Sequence, residues 1–594
     1  MKLKVIVLLS ALLSLPVFAS AEGATVPLAN VYGRNTVSLN GAWRAIADIY
    51  DRGERMGFQK NLKASGKDDF YEYSFDEALQ LNVPGDWNCQ YPEFKYYEGT
   101  IWYARHFDAP TPGEGRQFLY FAGVSYRCKV FLNGEQIASH EGSFFPFQVE
   151  VTGKLLEKDN FLAVEVNNRR TEDAIPALDF DWWNYGGITR DVMLVSTPDV
   201  YVNDWFLSLD KDDLRRINVQ VTLSEPGERC LSVEIPELKI KKCGRTDDNG
   251  VFQCSVKSSK ISYWSPSSPK TYKVVIRSGK DTVSDEIGFR DIRVDGTTIL
   301  LNGKPFFAKS VSFHEEVPQR MGRACTAEDA AYLIGEAKAL GANMVRLAHY
   351  PQNEYIVRLA EREGIVLWEE IPLWQKIKFS DEATLAKALD MYSTMLLRDR
   401  NRCNVCFWGL ANETRPSDAR NAFLTVLLDN AKSIDDTRLY TLADDIADYN
   451  PETGIVEMND PMIDKVDVVA INKYLGWYAK WTSEPADMKW NVAPGKPLII
   501  SEFGGEALYG RHGDETVASS WSEEYQAKLY RDNLAAFENI ENLAGISPWV
   551  LFDFRSPRRC FPGLQDGWNR KGLLSDQGER KMSWYIMNEY YNHK

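Results

Sequence analysis

The sequence predicts a multidomain protein, β-rich in its first half and α/β in its second: a jelly roll, an immunoglobulin-like β-sandwich and a (β/α)8 TIM barrel. Three observations predict it. At 594 residues the chain exceeds what one hydrophobic core organises, and its length suggests about three or four domains. From about Thr36 to Arg290, short alternating apolar runs are separated by turn residues, with no long helical period. After Arg293 apolar strands alternate with amphipathic helices, the pattern of a parallel β/α architecture.

Residues 1–21 read as a signal peptide. Lys2 and Lys4 precede an apolar run from Val5 to Phe18, and Ala19-Ser20-Ala21 gives a small-x-small cleavage pattern. The run is too short to span a bilayer, and no Cys follows closely to carry a lipid. The expectation is an exported protein, periplasmic or secreted, without membrane insertion.

Residues 22–198 are expected to form the jelly roll. Gln117 to Val124 reads as one strand, and Cys128-Lys-Val-Phe-Leu132 then meets Asn133-Gly134, a strong hairpin signal, before Glu135-Gln-Ile-Ala138. Residues 199–290 continue the alternation, as in Val219-Gln-Val-Thr-Leu223 and Tyr272-Lys-Val-Val-Ile276, over a length suited to an immunoglobulin-like sandwich. Residues 291–594 carry the barrel pattern. Thr326-Ala-Glu-Asp329 resembles a helix capping box, and Ala330, Leu333, Ile334, Ala337 and Leu340 then mark one helical face ending at Gly341. Eight strands are expected near Phe306, Val345, Val366, Val405, Tyr440, Val468, Ile499 and Val550.

The net charge of −15 argues against nucleic acid or an anionic membrane as partner, because both demand a basic face. Seventeen Trp, 28 Tyr and 28 Phe suit stacking on sugar faces, and equally suit large β-domain cores. Cys403-x-x-Cys406 falls in the strand leading to Glu413, where alternation turns the two thiols to opposite faces; buried reduced thiols are expected rather than a metal site. Cys230, Cys243 and Cys254 lie close enough in sequence to supply one disulfide.

The chemistry gathers at the ends of the barrel strands, the face on which such barrels build active sites. Strand two ends at Arg346-Leu-Ala-His349, strand four at Asn412-Glu413, strand six at Asn472-Lys-Tyr474, strand seven at Glu502 and strand eight with Trp549 through Asp553. Each residue alone could be a satisfied core group; their joint placement at successive strand ends favours a site. Two facing carboxyls are the machinery of glycoside hydrolysis, and a separation of about 5 Å allows one to attack the anomeric carbon while the other protonates the leaving oxygen. Tyr474 is placed to donate a hydrogen bond that keeps Glu502 ionised.

Asn412-Glu413 after a Trp-containing strand, with Glu502 three strands later, resembles the retaining glycosidases of glycoside hydrolase family 2, the β-galactosidase and β-glucuronidase family. Val83 to Trp87, His140 to Pro146 and Asp181 to Ile188 look like that family's sugar-binding jelly roll, so the resemblance covers nearly the whole mature chain. It implies Glu413 as acid/base, Glu502 as nucleophile, and Asp181, His349, Asn412, Tyr474 and Trp549 as substrate-binding residues. His314-Glu315-Glu316-Val317 has Val where the family's magnesium motif has a second His, so no catalytic metal and no cofactor are expected. Asn569-Arg570-Lys571 resembles the Asn-x-Lys triplet with which family β-glucuronidases hold the C6 carboxylate, and Ile471 to Tyr478 resembles their strand-six loop. Gln565 stands about where some of them carry an Arg.

The charge pattern points the same way: Arg555, Arg558, Arg559, Arg570 and Lys571 cluster after strand eight of an otherwise acidic chain, which suits an anionic substrate. The competing readings are a β-galactosidase or related exo-glycosidase on acidic or sulfated polysaccharide fragments, a non-catalytic carbohydrate-binding protein, and a structural protein, which would show repeats. The expected partner is a carbohydrate; the oligomeric state, a homo-oligomer included, stays open.

Overall fold

A computed structural model describes residues 26–63, 74–109, 115–320 and 322–594. The expected signal peptide, residues 1–21, lies outside the described residues. The fold class is the expected one.

In the first unit a six-stranded and a four-stranded antiparallel sheet enclose a core that includes Trp43, Leu81, Trp87 and Tyr103. The hairpin Arg127–Leu132 and Glu135–Glu141 turns through Asn133 and Gly134, whose φ values of 53° and 91° are those that Asn-Gly tolerates in such a turn. The motifs around Trp87 and Gly186 pack together: a Cβ on Gly186 would stand 2.1 Å from the Trp87 ring, so glycine is required there.

The second unit has three strands in one sheet (Val202–Leu209, Arg216–Leu223, Val251–Lys257). Four more form the other (Cys230–Ile235, Ile240–Arg245, Thr271–Ser278, Asp281–Gly288). Its cysteines are free. Cys230 pairs across the ladder with Arg245, and Cys243 with Ser232, so the two are offset by two residues, beyond disulfide reach; Cys254 lies in the other sheet.

The third unit closes eight parallel strands into a barrel: β1 (Ala308–Phe313), β2 (Met344–Leu347), β3 (Val366–Glu370), β4 (Val405–Asn412), β5 (Leu439–Asp444), β6 (Val468–Asn472), β7 (Leu498–Glu502) and β8 (Leu543–Ile546). Strand eight is therefore not at Val550. A Cβ on Gly545 would come within 2.4 Å of the Ala308 Cβ, so the closing β8–β1 pair needs glycine there, and Pro548 has no N–H with which to extend the ladder. Cys403 precedes β4 rather than lying in it, and both it and Cys406 are buried and free.

Thr326 caps the helix Ala327–Ala339 with the expected reciprocal bonds. Long helices follow β1 to β4, β7 and β8. After β5 and β6 the turn-rich segments form a small three-stranded sheet instead (Asp448–Asn450, Ile455–Glu457, Lys489–Asn491), with short 3-10 turns.

The jelly roll docks on the carboxyl-end face of the barrel. Phe144 stacks on Tyr350 with ring centres 4.0 Å apart, and Arg190 reaches buried Glu315 at 3.1 Å. Trp182 enters the barrel core, packing on His314, His349 and Trp374. Among the described residues no helix is long and apolar enough to cross a membrane.

Candidate active site

A cavity of about 400 Å³ opens at this face, lined by Asp181, His349, Glu413, Tyr474, Glu502, Trp549, Asn569 and Lys571 together with residues the sequence did not single out. Asn412, the remaining expected site residue, is buried and accepts from Asn472, which lines the cavity.

Arg346 organises the floor. It projects from β2 into the barrel over the Trp368 ring and is fully buried. Its guanidinium donates to both oxygens of Glu370 at 2.9 and 3.1 Å, to Glu502 Oε1 at 2.8 Å and to Asn412 Oδ1 at 2.7 Å. One planar fork thus fixes groups from β3, β4 and β7, which a lysine could not do. Gly409 of β4 makes the room: a Cβ there would lie 2.5 Å from Trp368 Nε1 and 2.8 Å from Glu370 Cβ.

Glu502, at the end of β7, accepts from Arg346 through Oε1 and from the Tyr474 hydroxyl through Oε2 at 2.7 Å. Glu413 follows β4 in the left-handed conformation (φ 51°), a sparsely populated geometry for a non-glycine residue. Its oxygens accept from Asn472 Nδ2 at 2.9 Å and Gln375 Nε2 at 3.0 Å. Burial raises both carboxyls above the ordinary range, Glu502 to about 8, where Arg346 pulls down and the charge on Glu413 adds to the rise. The two carboxyls therefore titrate as a coupled pair. Glu502 is met by a cation and a phenol, Glu413 by two neutral amides, so the charge is better accommodated on Glu502 and the proton on Glu413.

Two further polar side chains belong to this network. His349 has its pKa lowered by burial and is neutral; its Nδ1 lies 2.8 Å from Glu370 Oε1, which assigns the ring proton to Nδ1 and leaves Nε2 as an acceptor 4.0 Å from Glu502. Asn412 uses Oδ1 on Arg346 and Asn472, and its Nδ2 is buried without a protein partner. Trp549 stacks on His349 at 4.8 Å and forms a wall.

The loop after β8 brings only part of the expected basic cluster to the cavity. Lys571, 1% exposed, donates to the Tyr478 hydroxyl at 2.7 Å and lies 3.4 Å from Glu506 Oε1. Arg559 pairs with Asp181 and reaches Tyr478 and Glu506. Arg558 lines the cavity and pairs with Asp179. Arg570 instead turns to Asp553 and Asp576, and Arg555 lies between the Trp183 and Trp568 rings; neither belongs to the cavity. Gln565 donates to both oxygens of Glu506. Burial alone would raise the Glu506 carboxyl, but Lys571 and Arg559 outweigh it and hold it low. Asp181 does reach the site from the jelly roll, held by Ser556 at 2.5 Å and by Arg559.

Arg346, Glu370, Gln375, Glu506 and Tyr478 were not expected as site residues, and Arg559 was expected only as a member of the basic cluster. Arg346 lies at an expected strand end and Glu370 closes the strand expected near Val366, and a charged residue inside a buried strand was the signal available for them. Among the described residues no group of three or more His, Cys, Asp or Glu side chains is placed to hold a metal ion.

A (β/α)8 barrel with two opposed carboxyls at its mouth, roofed by a jelly roll, defines a glycoside hydrolase architecture. The comparisons agree. Residues 37–198 match the glycosyl hydrolases family 2 sugar binding domain, 200–290 the glycosyl hydrolases family 2 model and 292–556 the family 2 TIM barrel domain. The chain belongs to glycosyl hydrolase family 2 and is a glycoside hydrolase. It is similar to the β-glucuronidase of Paenibacillus borealis (26% identical, covering 94% of this chain and 98% of that one). It is also similar to that of Sus scrofa (27% identical, 94% and 90%). Its fold is like that of a β-glucuronidase from an uncultured Clostridium (TM-score 0.80, 24% identical, 95% and 98% covered). A β-galacturonidase from Eisenbergiella tayi bound to galacturonate is also similar in fold (TM-score 0.78, 24% identical, 95% and 98% covered).

Proposed function

We propose that this hydrolase is a retaining exo-β-glucuronidase. Glu502 attacks the anomeric carbon while Glu413 gives its proton to the leaving oxygen; water then opens the glycosyl ester, with Glu413 taking the water's proton. The donors on Glu502 and the amide partners of Glu413 support that division of roles. The roofed cavity, closed on one side by Asp181 and Trp182 of the jelly roll, suits removal of a terminal residue.

The observation that carries the uronate assignment is Lys571. Its ammonium is buried beside Asn569 and Arg559 in the cavity, with its nitrogen 5.7 Å from the centre of the Tyr474 ring whose hydroxyl holds Glu502. A buried cation one aromatic ring from the nucleophile suits a sugar carrying its own carboxylate. The competing reading is a neutral-sugar β-galactosidase, favoured by Glu506, which already partners Lys571. Assay of p-nitrophenyl β-D-glucuronide beside the β-D-galacturonide and β-D-galactoside decides: we expect the glucuronide to have the highest kcat/KM, and a preference for the galactoside overturns the reading. The relatives named β-glucuronidase support the same choice. We further propose export, from the charged and apolar pattern of residues 1–21.

A further inference from the structure

A second cleft borders the catalytic cavity on the side of Glu413. Asp448 lines both the cavity and this larger cleft of about 720 Å³, so the two adjoin at that side chain. The side on which the cleft opens is that of the acid/base: Asp445 and Asp448, from the loop after β5, line the catalytic cavity with Glu413 and Asn472. Lys571, Asn569 and Arg559 take no part in the outer cleft. Because Glu413 delivers its proton to the leaving oxygen, a cleft adjoining the cavity on that side is placed to receive what departs.

The outer wall is preformed. It is the small sheet that stands where the barrel helices after β5 and β6 would be. Val456, Met488 and Val492 bury its inner face, and Trp490 donates to the Ala536 carbonyl at 3.0 Å while its ring meets Phe537. Its chemistry is one-sided. Tyr449, 38% exposed, offers an aromatic face; Asp448, Glu457 and Asp464 offer carboxylates; Asn459 and Asn491 offer amides. The residues described as lining it include no Lys, Arg or His. Carboxylates and amides accept from and donate to sugar hydroxyls, and an aromatic face packs on a pyranose ring; three carboxylates, of which, among the described residues, Asp448 alone meets a cation, Lys473 at 3.5 Å on the side of the catalytic cavity, repel an anionic chain.

We propose that this cleft binds the leaving-group side of the substrate and that its ligand is a neutral, hydroxyl-rich oligosaccharide. On the glycone reading above, the substrate is then a neutral sugar chain capped by a β-linked uronosyl residue: an anionic end for Lys571, an uncharged body for the cleft.

The test compares kcat/KM for a neutral trisaccharide capped by β-glucuronosyl, the same chain sulfated, and p-nitrophenyl β-glucuronide, with wild type, Tyr449→Ala and Asp448→Asn. The neutral chain should exceed the sulfated one by about tenfold or more. Tyr449→Ala should lower the ratio of neutral-chain to aryl-glycoside rates at least fivefold, and Asp448→Asn should narrow the gap between neutral and sulfated chains. Equal rates on the two chains, or a Tyr449→Ala loss shared equally by the chain and the aryl glycoside, overturns the proposal. If the aryl galactoside proves to be the substrate, the glycone reading falls. The neutral-over-sulfated comparison on galactosyl-capped chains then still decides the cleft.

Discussion

Replacing Lys571 by Met tests the glycone reading through one charge. Methionine keeps an unbranched side chain of similar length in a position that is 1% exposed, so the change removes the ammonium with little loss of packing. Glu506 keeps Gln565, the Arg570 backbone N–H and Arg559, so the loop that carries position 571 stays tied down. What is lost is a charge-assisted contact to the substrate carboxylate in a closed site, on the order of 2 to 4 kcal/mol, or roughly 30- to 900-fold in kcat/KM for the glucuronide. A β-galactoside has no carboxylate, so its weak turnover should change little or rise slightly. The ratio of the two rates, measured with aryl glycosides under identical conditions, is the observable, and it cancels general damage. Equal losses on both substrates would refute the assignment of Lys571 to a C6 carboxylate.

Glu413→Ala should slow natural glycosides far more than aryl glycosides with good leaving groups, and azide should restore turnover by forming a β-glycosyl azide; no leaving-group dependence would show the role misassigned. Tyr474→Phe removes a donor that favours the ionised form of Glu502. The acidic limb of the kcat/KM profile should therefore move to higher pH, by about one unit, and an unmoved limb would show that the hydrogen bond does not tune Glu502.

Much of the site was legible because barrel chemistry sits where apolar runs end. Asn412-Glu413 and Glu502 close the runs of β4 and β7, and the expected bond from Tyr474 to Glu502 is present in the structure. Strand eight was misplaced because Val550 and Leu551 are more apolar than Leu543-Ala-Gly-Ile546. The demand that selected the latter, a glycine against Ala308, exists only once the barrel closes. Gln375 and Glu506 sit in loops without periodicity, and their partners, Glu413 and Lys571, lie 38 and 65 residues away in sequence. The basic cluster was over-read for a related reason: composition does not say which arginines find carboxylates of their own, as Arg570 does with Asp553 and Asp576.

The central claim is that Glu502 forms a covalent bond to the sugar. Incubation with 2-deoxy-2-fluoro-β-D-glucuronyl fluoride, followed by proteolysis and mass spectrometry, tests it, because the fluorine slows hydrolysis of the intermediate. The account predicts one fluorosugar on the peptide carrying Glu502, none in Glu502→Gln, and a β-configured first product by NMR with unmodified substrate. A label on Glu413, or an α-configured first product, would contradict it.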